Sequence, residues 1–168
     1  MAGVRERVLR MVDEYPGVHA REVERQLGLV SRLAQYHLDA LEKEGAILRI
    51  EERGFARYAS PSLRISSPDL ALLCRLRRAP VLEIVLFLLR QGEATPTQIS
   101  ERIALAKPST SHHLRELLND GIVVARRAGR ERWYGLRDEA QARRILDDFE
   151  PLPGELDSFA RIWEDLTG

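Results

Sequence analysis

Side chains of the same kind recur in this chain at a fixed spacing of 76 positions (His37 against His113), which restricts it to a fold built from one unit used twice. His37-Leu38 returns as His113-Leu114, Leu41 as Leu117, Gly45 as Gly121 and Tyr58 as Tyr134. Leu29 matches Leu105, and Val8 and Met11 correspond to Ile84 and Phe87. The offset holds without a gap, which indicates an internal duplication; two copies are too few for a solenoid.

Each copy reads as three helices followed by a hairpin. Val4, Val8, Met11 and Val12 give a first amphipathic helix that ends near Tyr15-Pro16-Gly17. A second helix spans about Ala20 to Leu27 and stops near Gly28. A third begins at Ser31, a good N-cap, and continues through Leu38 and Leu41 to Gly45. Strands at Ala46–Ile50 and Phe55–Tyr58 flank Arg53-Gly54. In the second copy Thr95-Pro96-Thr97-Gln98 has the form of a capping box, and His19 and Glu22 hold the matching places in the first. Lys107 to Leu136 carries the third helix and hairpin again. Leu114, Leu117 and Leu118 fall at helical spacing, Pro108 suits a first turn, and Gly121 can close the end. The apolar run Ile122, Val123, Val124 then leads to a turn at Ala128-Gly129, with Trp133, Tyr134 and Leu136 returning.

The fold class this implies is mainly α with small β-hairpins (α+β), in four parts. The copies occupy 1–60 and 80–137. A linker helix lies in 61–79, started by Ser67, Pro68 and Asp69 and apolar through Leu70, Leu72, Leu73 and Leu76. An acidic helical tail fills 138–168. Asp138–Phe149 is one helix candidate there. Glu155–Leu166 is another, with Leu156, Phe159, Ile162, Trp163 and Leu166 on one side, and Glu150-Pro151-Leu152-Pro153-Gly154 breaks the two apart. The tail is too small to make a core alone and is expected to pack on the second unit or across a dimer.

A formal net charge of zero argues against a nucleic-acid partner until its distribution is counted. Residues 1–60 carry 10 basic and 10 acidic side chains, 61–137 carry 13 and 7, and 138–168 carry 3 and 9. The local balances are therefore 0, +6 and −6, and a basic field before an acidic tail can still attract phosphate. Four of the second copy's arginines, Arg126, Arg127, Arg130 and Arg132, lie on its hairpin with one acid, Glu131. A helix with a polar N-terminal half beside an arginine-studded ribbon suits a duplex: the helix enters a groove and the ribbon touches backbone or minor groove.

The 44% hydrophobic and 31% charged fractions are those of a globular domain. The longest apolar run, Ile84–Leu89, is too short for a bilayer, and charges from Arg5 onward do not fit a signal peptide, so no membrane partner is expected. One cysteine, Cys74, rules out an internal disulfide framework and a Cys-rich zinc site, and the expected setting is the cytoplasm.

These residues resemble a known family. RRAPVLEIVLFLL, PSTSHHLRELLNDGIV and RRAGRERWYGL in Arg77–Leu136 look like a winged helix-turn-helix of the ArsR/MarR-like bacterial and archaeal regulators. QYHLDALEKEGAI and GFARY in residues 4–59 match the same pattern more loosely, and the tandem arrangement resembles archaeal-type double winged-helix transcriptional regulators. The resemblance implies two winged helix-turn-helix domains plus the helical tail, double-stranded DNA as partner, and a homodimer. It also implies DNA contact from the outward positions of each third helix.

Helical geometry says which positions those are. If Thr110, Leu114, Leu117 and Leu118 face the core, then Ser109, Ser111, His112 and Arg115 point outward. In the first copy the corresponding set is Arg32, Gln35, Tyr36 and Asp39, with Arg53 and Arg57 on its hairpin beside Arg49, Glu51 and Glu52. Those carboxylates repel phosphate, leaving the first copy as a weaker DNA binder or as a dimerisation or sensing unit. The recurrence of His113 as His37 favours a structural hydrogen-bonding role for it.

The chain departs from the metal-sensing members of the resembled family. It has no Cys-x-Cys-like pair, its tail has no histidine after Tyr134, and His112 and His113 cannot both reach one ion from a helix, so no metal or other cofactor is expected. Cys74 reads as a small buried hydrophobe, with an intersubunit disulfide as the sharper alternative. No phosphate-cradling glycine loop, Gly-x-Ser-x-Gly elbow or His-Glu-x-x-His pair supports an enzyme. Two rivals to a sequence-specific regulator stay open: a protein-interaction adaptor, and a nucleic-acid-processing factor that prefers structure over sequence.

Overall fold

The computed structural model describes residues 1–155, 159, 160 and 164. The chain divides into two compact units, one made of residues 1–77 with 150–154, the other of residues 78–149 with the described residues from 155 onward.

The first unit runs α1 (Val4–Glu14), β1 (Val18–His19), α2 (Ala20–Leu27), α3 (Ser31–Lys43), β2 (Leu48–Glu52), β3 (Phe55–Ala59) and α4 (Ser67–Leu76). The second runs α5 (Ala79–Gln91), β4 (Glu93–Ala94), α6 (Pro96–Ile103), α7 (Lys107–Asn119), β5 (Val123–Ala128), β6 (Glu131–Leu136) and α8 (Glu139–Asp147). The duplication survives at the level of register. Val18 pairs with Tyr58 and Ala94 with Tyr134; Leu48 pairs with Ala59 and Val124 with Gly135. Every partner in one pair lies 76 positions from its counterpart. Each sheet has three antiparallel strands, ordered β1-β3-β2 and β4-β6-β5. The two-residue strands β1 and β4, which escape sequence reading, complete what the sequence presents as a plain hairpin.

In the first unit the apolar stripes of the helices converge on the sheet. Val8, Met11 and Val12 of α1, Val23 of α2, and Ala34, Leu38 and Leu41 of α3 bury against Val18, Ile47 and Tyr58. The second unit repeats this with Ile84, Val85 and Leu88, Ile99, Leu114 and Leu117, and Val123 and Tyr134, all buried. Helix α5 is apolar around most of its circumference and so needs cover on several sides. One side is taken by α8, whose Ala142, Ile145 and Leu146 are buried. The first tail helix therefore packs on the second unit.

Local signals set the helix ends. Thr95 and Gln98 close a reciprocal capping box on α6, with Thr95 Oγ1 accepting from the Gln98 amide (3.3 Å) and Gln98 Oε1 from the Thr95 amide (2.9 Å). His19 and Glu22 do the same for α2, the His19 Nδ1 accepting from the Arg21 amide at 3.1 Å. Gly28 ends α2 in the left-handed region (φ 63°), and Ala104 takes the same conformation after α6 (φ 51°). Two sequence expectations move by one residue. Val30, not Ser31, is the N-cap of α3, and the Ser31 hydroxyl donates to Glu24 (2.7 Å). The second hairpin turns at Gly129-Arg130, since Ala128 already pairs with Glu131. Glycine with positive φ (65°) at the first of two loop residues suits that turn.

Two further pieces complete the first unit. Ser66 caps α4 by accepting from the Asp69 amide at 3.3 Å, and α4 reaches the first sheet where Arg75 meets Glu52 at 3.1 Å. A Cβ on Gly17 would stand 3.3 Å from the Cys74 sulfur, which shows how closely α4 approaches β1. The segment 150–154 crosses this unit as a strap. The Glu150 carbonyl accepts from Arg77 (2.5 Å), the Pro153 carbonyl accepts from the Gln26 amide (2.8 Å), and Leu152 is fully buried in the core. Beyond it, the Phe159 ring lies 6.0 Å from that of Phe149. The remaining positions of the expected Glu155–Leu166 apolar face (Leu156, Ile162, Trp163 and Leu166) lie outside the described residues.

Leu152→Ala should destabilise the first unit by about 2–5 kcal/mol through lost burial and a residual cavity. Denaturant unfolding of the full chain, followed by a probe in that unit, measures it.

Candidate nucleic-acid interface

Helix α7 is anchored on one side only. Thr110, Leu114 and Leu117 are buried, and Leu118 is half-buried beside them. The helical period then turns Ser109, Ser111, His112 and Arg115 outward, and all four are exposed, as the sequence requires. Across the outer surface Glu116 is placed 3.6 Å from His112 and 3.5 Å from Arg78. His113 turns partly inward. Its Nδ1 and the Thr110 hydroxyl are both buried without a hydrogen-bond partner among the described residues, so the expected hydrogen-bonding role is not realised at that nitrogen. Burial, then the neighbouring His112, pushes the His113 pKa below its ordinary 6.5.

The β5–β6 hairpin sorts its arginines by strand parity. Arg127 and Arg132 are direct cross-strand partners, and Arg126 faces Trp133 on the opposite side. Arg126 is engaged: its guanidinium forks onto Glu93 at 2.6–3.0 Å and stacks 5.7 Å from the Trp133 ring. Hydrogen bonding to Arg126 lowers the Glu93 pKa, although both groups are exposed and the pair is screened by water. Arg132 lies over Tyr134 at 5.4 Å. Arg115, Arg127 and Arg130 make no hydrogen bond or ion pair among the described residues. Like charges directly opposite across a ladder are destabilising, so the Arg127–Arg132 pair, with Arg130 at the tip, is an uncompensated cationic edge suited to an anion.

The first unit presents the same backbone with different chemistry. By the fixed offset, Asp39 stands where the second unit has Arg115, Tyr36 where it has His112, and Leu33 where it has Ser109. Glu51, Gly54 and Ala56 replace Arg127, Arg130 and Arg132. Arg32, Tyr36 and Arg53 are exposed as expected, Arg53 at the hairpin turn with φ 50°. Arg57 corrects the sequence expectation. It is 4% exposed, its guanidinium held by Glu52 (2.7 Å) and the Gly17 carbonyl (2.9 Å), with Arg75 of α4 on the other oxygen of the same Glu52. Gln35 is also drawn in, donating to Asp39 (2.7 Å) and to the Tyr58 hydroxyl (3.3 Å). Sequence reading missed Glu52, itself held by Arg75, as the partner that removes Arg57 from the surface. The only signal is that Glu52 shares the strand face of Arg57.

Cys74 is buried, and burial pushes its thiol up to about 11, which leaves it protonated and unreactive at neutral pH. Among the described residues no three His, Cys, Asp or Glu side chains gather where an ion could sit, and no helix is long and apolar enough to cross a membrane.

Comparison with known families separates the two units in the same way. Residues 2–67 match a family model described as an N-terminal HTH domain, and residues 81–124 match the model for bacterial regulatory proteins of the arsR family. The chain is a tandem winged helix-turn-helix protein, ArsR-like in its second unit. Among curated relatives it is 40% identical over 65 residues to the HTH-type transcriptional regulator NmtR of Mycobacterium tuberculosis, covering 39% of this chain and 53% of that protein. It is 33% identical over 64 residues to an arsenical resistance operon repressor of Staphylococcus aureus, covering 38% and 57%. This tandem chain thus spans about half the length of the curated relatives it matches. Among solved structures, the transcriptional repressor BigR from Xylella fastidiosa aligns at 28% identity and a TM-score of 0.42, over 45% of this chain and 76% of that one.

A pH dependence follows from the histidines. His19 and His113 both have pKa values lowered by burial from 6.5, so the unfolded chain holds more protons near that pH. Stability from these groups is complete above about 6.5 and declines as the pH falls below it. In a thermal-unfolding series from about pH 8 to about pH 5, His113→Gln and His19→Asn, which keeps a cap acceptor, should each flatten part of the slope.

Proposed function

We propose that this chain is a sequence-specific, double-stranded-DNA-binding transcriptional regulator whose second winged helix is the main reader. One observation carries the reading. Arg127, Arg130 and Arg132 form a cationic edge without acid partners among the described residues, beside a helix that exposes Ser109, Ser111, His112 and Arg115. In this mechanism α7 lies in the major groove. Arg115 reaches guanine acceptors or phosphate, His112 and the two serines reach base edges, and the wing arginines hold phosphates or enter the minor groove. Arg126 joins them by exchanging Glu93 for phosphate. The names of the relatives, a transcriptional regulator and an operon repressor, support the same class. The reading includes a homodimer acting on paired half-sites, a cytoplasmic setting and no catalytic step.

The adaptor reading keeps one specific support, the first unit, where Asp39 and Glu51 replace arginines and apolar side chains stand exposed. The two readings part on DNA affinity.

Titration of duplex DNA over a salt series tests the proposal. Log affinity should fall linearly with log salt. Arg127→Ala, Arg130→Ala or Arg132→Ala should weaken all sequences alike and lower the slope by about 1, while Arg115→Ala should cost about 1–3 kcal/mol and relax preference at one position. Affinity that is negligible at low salt, or flat with salt, would sink it.

A further inference from the structure

The first unit's α3 is a reading helix by position but not by surface. Leu33 (37% exposed) and Tyr36 (66%) are neighbours one turn apart on the helix, and Val30, its N-cap, is 71% exposed. Val30 and Leu33 offer no hydrogen bond to a base edge or phosphate, and Asp39 and Glu51 repel the backbone an arginine would hold. Such a surface is that of an interface core: an aromatic and two aliphatics, rimmed by charge.

We infer that α3 is a self-association surface, pairing with α3 of a second copy in an antiparallel, two-fold arrangement centred on Tyr36. The argument for a second copy over an unrelated partner is the charge pattern of the helix itself. Arg32 and Asp39 are exposed on either side of Tyr36. In a two-fold pair each contact occurs twice with the roles exchanged. Antiparallel helices meeting at Tyr36 place Leu33 of one copy opposite the partner's Asp39 position, and Arg32 within one turn of the partner's Asp39. The same opposite-sign pair forms at the other end. Asp39 is pre-positioned for this, since Gln35 one turn earlier donates to its Oδ1 at 2.7 Å. Arg32 makes no ion pair among the described residues of its own chain.

Size sets the strength. A helix of 13 residues is about 20 Å long, and one face of it covers less than the roughly 800 Å² per partner of a standard interface. Such an interface belongs to the small, transient class, centred on Tyr36 as the aromatic anchor. It supplies the homodimer on which the proposed function draws, but it is measured without DNA, so the two can fail separately.

Sedimentation velocity of the full chain, without DNA, over a concentration series through the micromolar range is the test. The wild-type chain should pass from monomer to dimer. Tyr36→Ala and Leu33→Glu should each weaken the dimer about tenfold or more, with circular dichroism unchanged because both side chains are exposed. Arg32→Asp and Asp39→Arg should each weaken it severalfold, and the double charge swap should restore it. Recovery is a result that simple loss of folding cannot give. A chain that stays monomeric throughout overturns the inference, as does a dimer indifferent to Tyr36→Ala and Leu33→Glu, or a charge swap that fails to recover. So does a loss of DNA affinity in Tyr36→Ala or Leu33→Glu at concentrations where wild type is monomeric, which would make DNA the occupant of this face.

Discussion

The third helix of each unit is held along one side by a short row of buried side chains, and the rest of the molecule's behaviour hangs on that one-sidedness. Leu38 and Leu41 in α3, and Leu114 and Leu117 in α7, are buried, as are Tyr58 and Tyr134 of the sheets in the same units. Once that row is buried, helical geometry leaves no freedom over what points away. Arg115 is outward because Leu114 and Leu117 are inward, and Asp39 is outward for the same reason. The anchoring row is shared between the units; the exposed row is not.

That division separates what duplication preserved from what it released. Core positions carry matching residues because a cavity or an overpacked side chain costs several kcal/mol wherever it occurs. Exposed positions carry no such penalty, and there serine, histidine and arginine in one unit stand against leucine, tyrosine and aspartate in the other. Two surfaces of different chemistry therefore rest on backbones whose strand registers coincide pair by pair. The ion pair of α4's Arg75 with Glu52 widens the difference. Arg57 becomes a buried structural cation between Glu52 and the Gly17 carbonyl, while its counterpart position in the second unit holds Trp133, stacked on Arg126.

Most of the fold and the second unit's outward set were legible in the sequence, because periodicity and capping are local. The α2 and α6 caps, the stops at Gly28 and Gly121, and the burial of Leu114 and Leu117 all depend on residues within a turn or two. What escaped reading is non-local. Nothing near Arg57 announces that a helix starting at Ser67 will bring Arg75 onto the Glu52 that holds it. The strands β1 and β4 are two residues long and exist only because a distant strand pairs with them. The cap of α3 moved to Val30 because the Ser31 hydroxyl found Glu24, a partner on the preceding helix. The role of Leu152 was hidden by its neighbours, since a segment flanked by Pro151 and Pro153 reads as a break.

Leu152 has a consequence for the order in which the protein can be built. The first unit begins to emerge from the ribosome well before the second, yet its core lacks the side chain of Leu152 until residues 78–149 of the second unit have been made. Domains commonly fold in the order they are made. The earlier-made unit therefore starts with that core position unfilled, while the buried residues of the later-made one between 78 and 149 are in the chain before Leu152 is added.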